Sequence, residues 1–200
     1  MINNRFFGKR RPDAPRPIPP GQYQEDGFPV LSAGPTPKVD TATWEFTIDI
    51  KGSTVASWSW DALNALPQTD IHTDIHCVTK WSKLDTDWCG VTIDTLLKDA
   101  GIDPPAGFAM AGCDGGYTTN IPVADIVDGK GMLVHTFDGQ PLAPEHGGPV
   151  RLLIPHLYLW KSAKWVRNLR FMDQDAPGFW EGYGYHMYGD PWREQRYSND

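Results

Sequence analysis

The chain has 200 residues, a formal net charge of -7, nine tryptophans, 18 prolines and 20 glycines. That length suits one large domain or two small ones, and the acidic balance argues against nucleic acid as a general partner. Abundant proline and glycine favour many short strands and turns over long helices, and no apolar run reaches membrane-spanning length.

Three cysteines (Cys77, Cys89, Cys113) form no CxxC pair, which argues against a structural zinc site, and their odd, sparse count fits a reducing compartment. Lys9-Arg10-Arg11 is followed by prolines rather than an apolar segment, so it does not read as an export signal. Cytoplasm is the expected location.

Residues 1–27 carry Pro12, Pro15, Pro17, Pro19 and Pro20 among basic residues. They are expected to be an extended arm, lying on the domain or disordered, ahead of a single domain at 28–200. Residues 28–37 read as a loop whose small residues and prolines let backbone approach a ligand, or simply connect. Alternation predicts a half-buried strand over 43–50, followed by a short helix over 59–66 that Pro67 stops.

Thr69–His76 then reads as a strand delivering Cys77 into a short polar segment with Thr79, Lys80, Trp81 and Ser82. A thiol just past a strand end, beside a cation, favours the thiolate, which is both nucleophile and soft metal ligand. A buried, inert cysteine is the commoner fate.

A second short helix is expected over 91–100, capped by Thr92 and ended by Gly101. Strands follow at 108–112 and 117–121 around the turn Cys113-Asp114-Gly115-Gly116, then a helical turn at 123–127. Met132–Phe137 is a strand running into the hairpin signal Asp138-Gly139. Strands at 150–154 and 163–171 complete an α+β chain, strand-dominated with mixed sheets and short helices.

From Arg151 to Arg170 the chain holds Arg151, Lys161, Lys164, Arg167 and Arg170 and no acid, a local inversion of sign. Such cations beside loop amides suit a phosphate or another dianion; a solvated basic strand face is the plainer reading. The small residues of Lys161-Ser162-Ala163-Lys164 favour an anion site. There main-chain amides and the Ser162 hydroxyl would reach an anion held by Lys164, with the Glu145-His146-Gly147-Gly148-Pro149 turn just upstream.

With these elements the chain, from about residue 28 to 197, resembles the sulfite oxidase-like molybdopterin-dependent oxidoreductases. His76-Cys77-Val78-Thr79-Lys80-Trp81-Ser82 is similar to the family's cysteine loop, and His146-Gly147-Gly148-Pro149-Val150-Arg151-Leu152 to its His/Asn-x-x-x-x-Arg element. Ser162-Ala163-Lys164-Trp165 is similar to the segment wrapping the pterin phosphate, and the stretch from Phe179 to Tyr197 to the closing aromatic tail.

The resemblance implies a sulfite oxidase-like molybdopterin-binding fold and a molybdenum-molybdopterin cofactor with Cys77 as protein ligand of the metal. It implies cofactor contacts from Leu31, Ser32, Ala33, Gly34, His76, Cys113, Asp114, His146, Arg151, Ser162, Ala163 and Lys164. Tyr117 and Lys80 are expected to hydrogen-bond the transferred oxygen. Sulfite oxidases place arginines just past the cysteine and in the segment matching Leu31-Ser32-Ala33. Here Lys80 is the only cation at the first place and none stands at the second.

The expected function is two-electron oxygen-atom transfer, as sulfite-type oxidation or S- or N-oxide reduction, with a separate electron donor or acceptor protein. The alternative is a non-catalytic pterin- or anion-binding module, which leaves Cys77 without a task. Of the remaining candidates, His72 and His76 share a strand spacing that puts them on one face, His135 and His156 are structural in the simplest reading, and Cys89 is a packing residue. The tail aromatics (Trp180, Tyr183, Tyr185, Tyr188, Trp192, Tyr197) line a funnel or, more simply, pack over the sheet.

Overall fold

A computed structural model describes residues 16–200. The basic, proline-rich start of the expected arm lies outside these residues. The described end of that arm is laid on the domain: β1 (Tyr23–Gln24) pairs in parallel with the start of β5 (Trp81–Thr92).

Two sheets carry the fold. In the first, β5 is the hub. It takes β4 (Thr69–His76) on one side and β8 (Met132–Phe137) on the other, both antiparallel, and β8 continues to β9 (Gln140–Pro141) and β10 (Arg151–Leu153). The second runs β3 (Ser53–Ser59), β2 (Glu45–Ile50), β11 (Val166–Met172), β6 (Phe108–Cys113) and β7 (Thr118–Pro122), with β2 and β11 parallel. Three short helices, α1 (Trp60–Ala65), α2 (Ile93–Asp99) and α3 (Phe179–Gly182), fill in between. The strand-dominated α+β expectation therefore holds.

The elements follow local chemistry. Ser59 caps α1 by accepting from Ala62 N, and Thr92 caps α2 by accepting from Thr95 N. Two strands escaped the sequence pattern. β3 follows Lys51-Gly52, both at positive φ, a two-residue hairpin turn. β5 opens with Trp-Ser-Lys-Leu-Asp-Thr-Asp, whose charges mask its alternation, and it is a strand because partners flank it on both sides. Gly90 permits its closest approach to β8: a Cβ there would meet Leu133 O at 2.0 Å.

The main core holds Trp44, Phe46, Ile48, Val91, Ile93, Leu96, Leu133, Leu152, Val166 and Leu169, packed between the sheets and helices. A smaller cluster of Ile75, Cys77, Trp81, Trp88, Val134 and Leu153 lies in the first sheet beneath the cysteine loop. Burial at that scale stabilises by roughly 25 cal/mol per Å² of apolar surface removed from water, so the loop stands on a rigid base.

The candidate cofactor site

β4 ends at His76, and the chain turns back through Cys77, Val78, Thr79 and Lys80 into β5. Lys80 N donates to Cys77 O at 3.0 Å and Cys77 N to Trp81 O at 2.8 Å, which closes the turn. Lys80 takes φ 76°, a left-handed backbone that a Cβ disfavours by about 1–2 kcal/mol. Both termini brace the turn. The Gln22 carboxamide donates to Cys77 O at 3.0 Å, Tyr23 N to Lys80 O at 2.9 Å, and the Arg196 guanidinium to Val78 O at 2.8 Å.

The turn presents Cys77 to a cavity of about 560 Å³. The residue is only 7% exposed and packs on the smaller core cluster, yet it lines the same cavity as Arg151 and Lys164. The cavity also gathers Leu31, Ser32, Ala33, Gly34, Asp114, Tyr117, Ser162 and Ala163 from the expected set. Phe179, Trp180 and Tyr185 of the tail add an aromatic wall. Those three tail residues thus serve the cavity, and Tyr185 and Trp160 meet edge to face at 5.2 Å.

Four expected residues lie off this lining. Lys80 is exposed and absent from the lining, although Cys77, Val78 and Thr79 of the same turn belong to it. His76 is buried beside Ser82, its Nδ1 2.8 Å from Ser82 Oγ, and burial holds its pKa below the usual value. Cys113 packs against the main core instead, where burial pushes its thiol up to about 12. His146 stacks flat on Phe28, ring centres 3.9 Å apart, so Phe28 rather than the imidazole faces the cavity. His72 and His76 also part company: His72 is exposed between Asp85 and Asp87, while His76 is buried. A register shift between Thr73 and Ile75 separates them.

The basic stretch splits the same way. Arg151 is 3% exposed and donates to His146 O at 2.9 Å. Burial lowers its pKa to about 10, against the pull of Cys77, Tyr117 and Cys113. Lys164 donates to Leu31 O and Glu145 O, both at 2.6 Å, and burial together with Arg151 lowers it to about 8. Neither has a carboxylate within 4.0 Å among the described residues. Lys161 instead is wholly buried against Glu181 at 2.6 Å, Arg167 pairs with Asp114 at 2.7 Å, and Arg170 faces solvent.

A buried Arg151 and a half-buried Lys164 lining one cavity, neither with a carboxylate partner among the described residues, fit an anionic group. Two further observations agree with it. Among the described residues, Arg151 Nε and His146 Nδ1 are buried without a hydrogen-bond partner. Gly147, at φ 112°, lies so close to Lys164 and Arg151 that a Cβ would come within 3.1 Å of the first and 3.2 Å of the second. Within the cradle, the Ser162 hydroxyl is engaged at 2.8 Å by Ile154 N, and its amide donates to Leu159 O. Ser162 therefore shapes the loop, and the charge comes from Arg151 and Lys164. Tyr117 likewise donates its hydroxyl proton to Trp160 O at 2.6 Å, and burial raises its pKa well above the usual value, so it stays protonated.

A cavity that brings a cysteine thiol together with two cations lacking a carboxylate partner among the described residues is suited to an anionic cofactor. The chain belongs to the oxidoreductase molybdopterin-binding domain family, whose model matches residues 33–180, and it is a sulfite oxidase-like member of it. The cofactor of that family is molybdopterin, and the donor set of thiolate and cations is chemically suited to it.

One relative is the "Uncharacterized oxidoreductase YuiH" of Bacillus subtilis (strain 168), 41% identical over 98% of this chain and 100% of that protein. A second is the "Putative protein-methionine-sulfoxide reductase subunit YedZ1" of Azospira oryzae, 32% identical over 76% of this chain and 58% of its own length. Among solved structures, the sulfane dehydrogenase SoxCD of Paracoccus pantotrophus shares the fold with a TM-score of 0.60 and 20% identity, over 69% of this chain and 40% of that one.

Proposed function

We propose that this chain carries out two-electron oxygen-atom transfer with a small substrate, Cys77 being the protein ligand of the metal, and that a separate protein exchanges the electrons. In the reducing direction, an S- or N-oxide takes up two electrons and two protons and releases water; sulfite-type oxidation runs the opposite way. The electron exchange and the oxygen transfer are the chemistry that the molybdenum cofactor supplies when bound.

The chain's own residues bind, orient and exclude water. Cys77 would hold the metal through Sγ, while Arg151 and Lys164 would hold the pterin phosphate through charge-assisted hydrogen bonds. Phe28, Trp160, Phe179 and Trp180 shape a largely apolar approach. Both cations lining the cavity are assigned to the pterin phosphate, which leaves no lining cation among the described residues for a charged substrate and favours a neutral oxide over sulfite. The name of the YedZ1 relative, which refers to a sulfoxide, supports the same direction. A cytoplasmic site of action agrees with the unpaired thiols.

The observation that carries this reading is the thiol of Cys77 in one cavity with Arg151 and Lys164. Its test is Cys77→Ser, purified from a cofactor-competent host. The variant is expected to retain pterin and lose turnover of S- and N-oxides with an artificial electron donor. Full turnover would sink the ligand assignment.

A further inference from the structure

The cysteine turn carries one contact that the cofactor cradle does not require. Thr79 Oγ1 lies 3.2 Å from Cys77 Sγ and is oriented as donor to it. Thr79 lines the cavity, and its side chain has no other hydrogen-bond partner among the described residues. The turn makes this contact a fixed one. Cys77 is held at both main-chain polar groups, its N by Trp81 O and its O by Lys80 N and Gln22 Nε2. Residue 78 is held by Arg196, and residue 80 is locked in the left-handed region. Residue 79, between those anchors, is left with its hydroxyl over the sulfur.

We infer that Thr79 is a positioning and tuning residue for the Cys77 sulfur, its hydroxyl setting how strongly that sulfur donates to the metal it would hold. This rests on Cys77 being the ligand. A hydrogen bond to a ligating sulfur withdraws electron density, favours the more electron-rich metal state and so raises the reduction potential. The same bond lowers the energy of the sulfur lone pair. Without it, the cysteine sulfur-to-metal charge-transfer absorption moves to longer wavelength.

The experiment compares Thr79→Val, which keeps the shape and removes the hydroxyl, with Thr79→Ser, which keeps the hydroxyl. Both are measured in the loaded protein by redox potentiometry and visible absorption. Thr79 is exposed, so both variants are expected to melt with the wild type. Thr79→Val should lower the potential by about a tenfold shift in the one-electron equilibrium, ~59 mV, with the absorption moved to longer wavelength. Thr79→Ser should stay near wild type on both measures.

Identical potentials and spectra in wild type and Thr79→Val overturn the inference, as does a Thr79→Ser variant that shifts as far as Thr79→Val. Cys77→Ser, measured in parallel, separates the two claims. If it loses the cysteine absorption while Thr79→Val changes nothing, the ligand assignment stands and the tuning role falls. If it keeps that absorption, the ligand assignment falls first.

Discussion

Lys161 and Lys164 stand three residues apart in one basic stretch, and the fold gives them opposite tasks. Lys161 is sealed from solvent, where its ammonium meets Glu181, the Asn120 carbonyl and side chain, and Met187 O at 2.6–2.9 Å. The Glu181 oxygen it meets also accepts from Thr119 and Trp160. That network fastens the cradle loop to the C-terminal tail. Lys164 has two main-chain carbonyls, no carboxylate partner among the described residues, and a pKa lowered to about 8. A cation with its counter-ion built in does structural work; a desolvated cation without one is poised for an external anion.

The contrast is sharpest at Lys161. Replacing it with methionine strands the Glu181 carboxylate in a sealed site, and thermal or denaturant unfolding should show a loss of about 3–5 kcal/mol. The double variant Lys161→Met with Glu181→Leu removes both charges and should recover part of that loss, the remainder reflecting Thr119, Trp160 and Asn120 left without these partners. A single variant as stable as wild type would show that the pair fastens nothing.

Lys164→Ala should act on the ligand and not on the fold. Cofactor retention under dilution is expected to weaken by about 1–3 kcal/mol, the scale of one hydrogen bond to a charged group, with pterin fluorescence as the measure. The pH dependence follows from the same group. Its folded pKa of about 8 lies below the ordinary lysine value of 10.5, so the unfolded chain binds the extra proton more readily over that interval. The stability of cofactor-free protein should therefore gain a contribution as pH rises from 8 to 10.5 and lose it as pH falls through 8. Cofactor affinity runs the opposite way, falling above pH 8 as the ammonium is lost. Melting temperatures of wild type and Lys164→Met across that range check the first, and a flat difference would contradict it.

Arg170 closes the series. It belongs to the same basic stretch but faces solvent, so Arg170→Ala should change stability by less than about 0.5 kcal/mol and leave cofactor retention unaltered. A larger effect on retention would mean that the whole stretch acts as one anion surface and that the division drawn from Lys161 and Lys164 is wrong.

Much of the fold could be read from pattern. The strands expected over 69–76 and 132–137 stand at those limits as β4 and β8; Thr92 marked where α2 begins, and of the two cap candidates Ser59 and Asp61 for α1 it is Ser59 that caps. β3 needed only closer attention to Lys51-Gly52. β5 was harder, since its charged opening residues sit on a strand held by β1, β4 and β8. Gln22 and Arg196, which brace the cysteine turn from the two ends of the chain, carried no motif at all. Their role depends on where main-chain carbonyls end up in space.

The order of the cysteine loop, the arginine element and the lysine loop is written in the primary structure, because each is a short local pattern that keeps its identity wherever it is placed. Which cations share a cavity with Cys77 is decided only by folding. Lys164 reaches Leu31, 133 positions away, while Lys161 turns to Glu181, 20 positions on. A charge is defined by its neighbours and its distance from water, and those are properties of the packed chain.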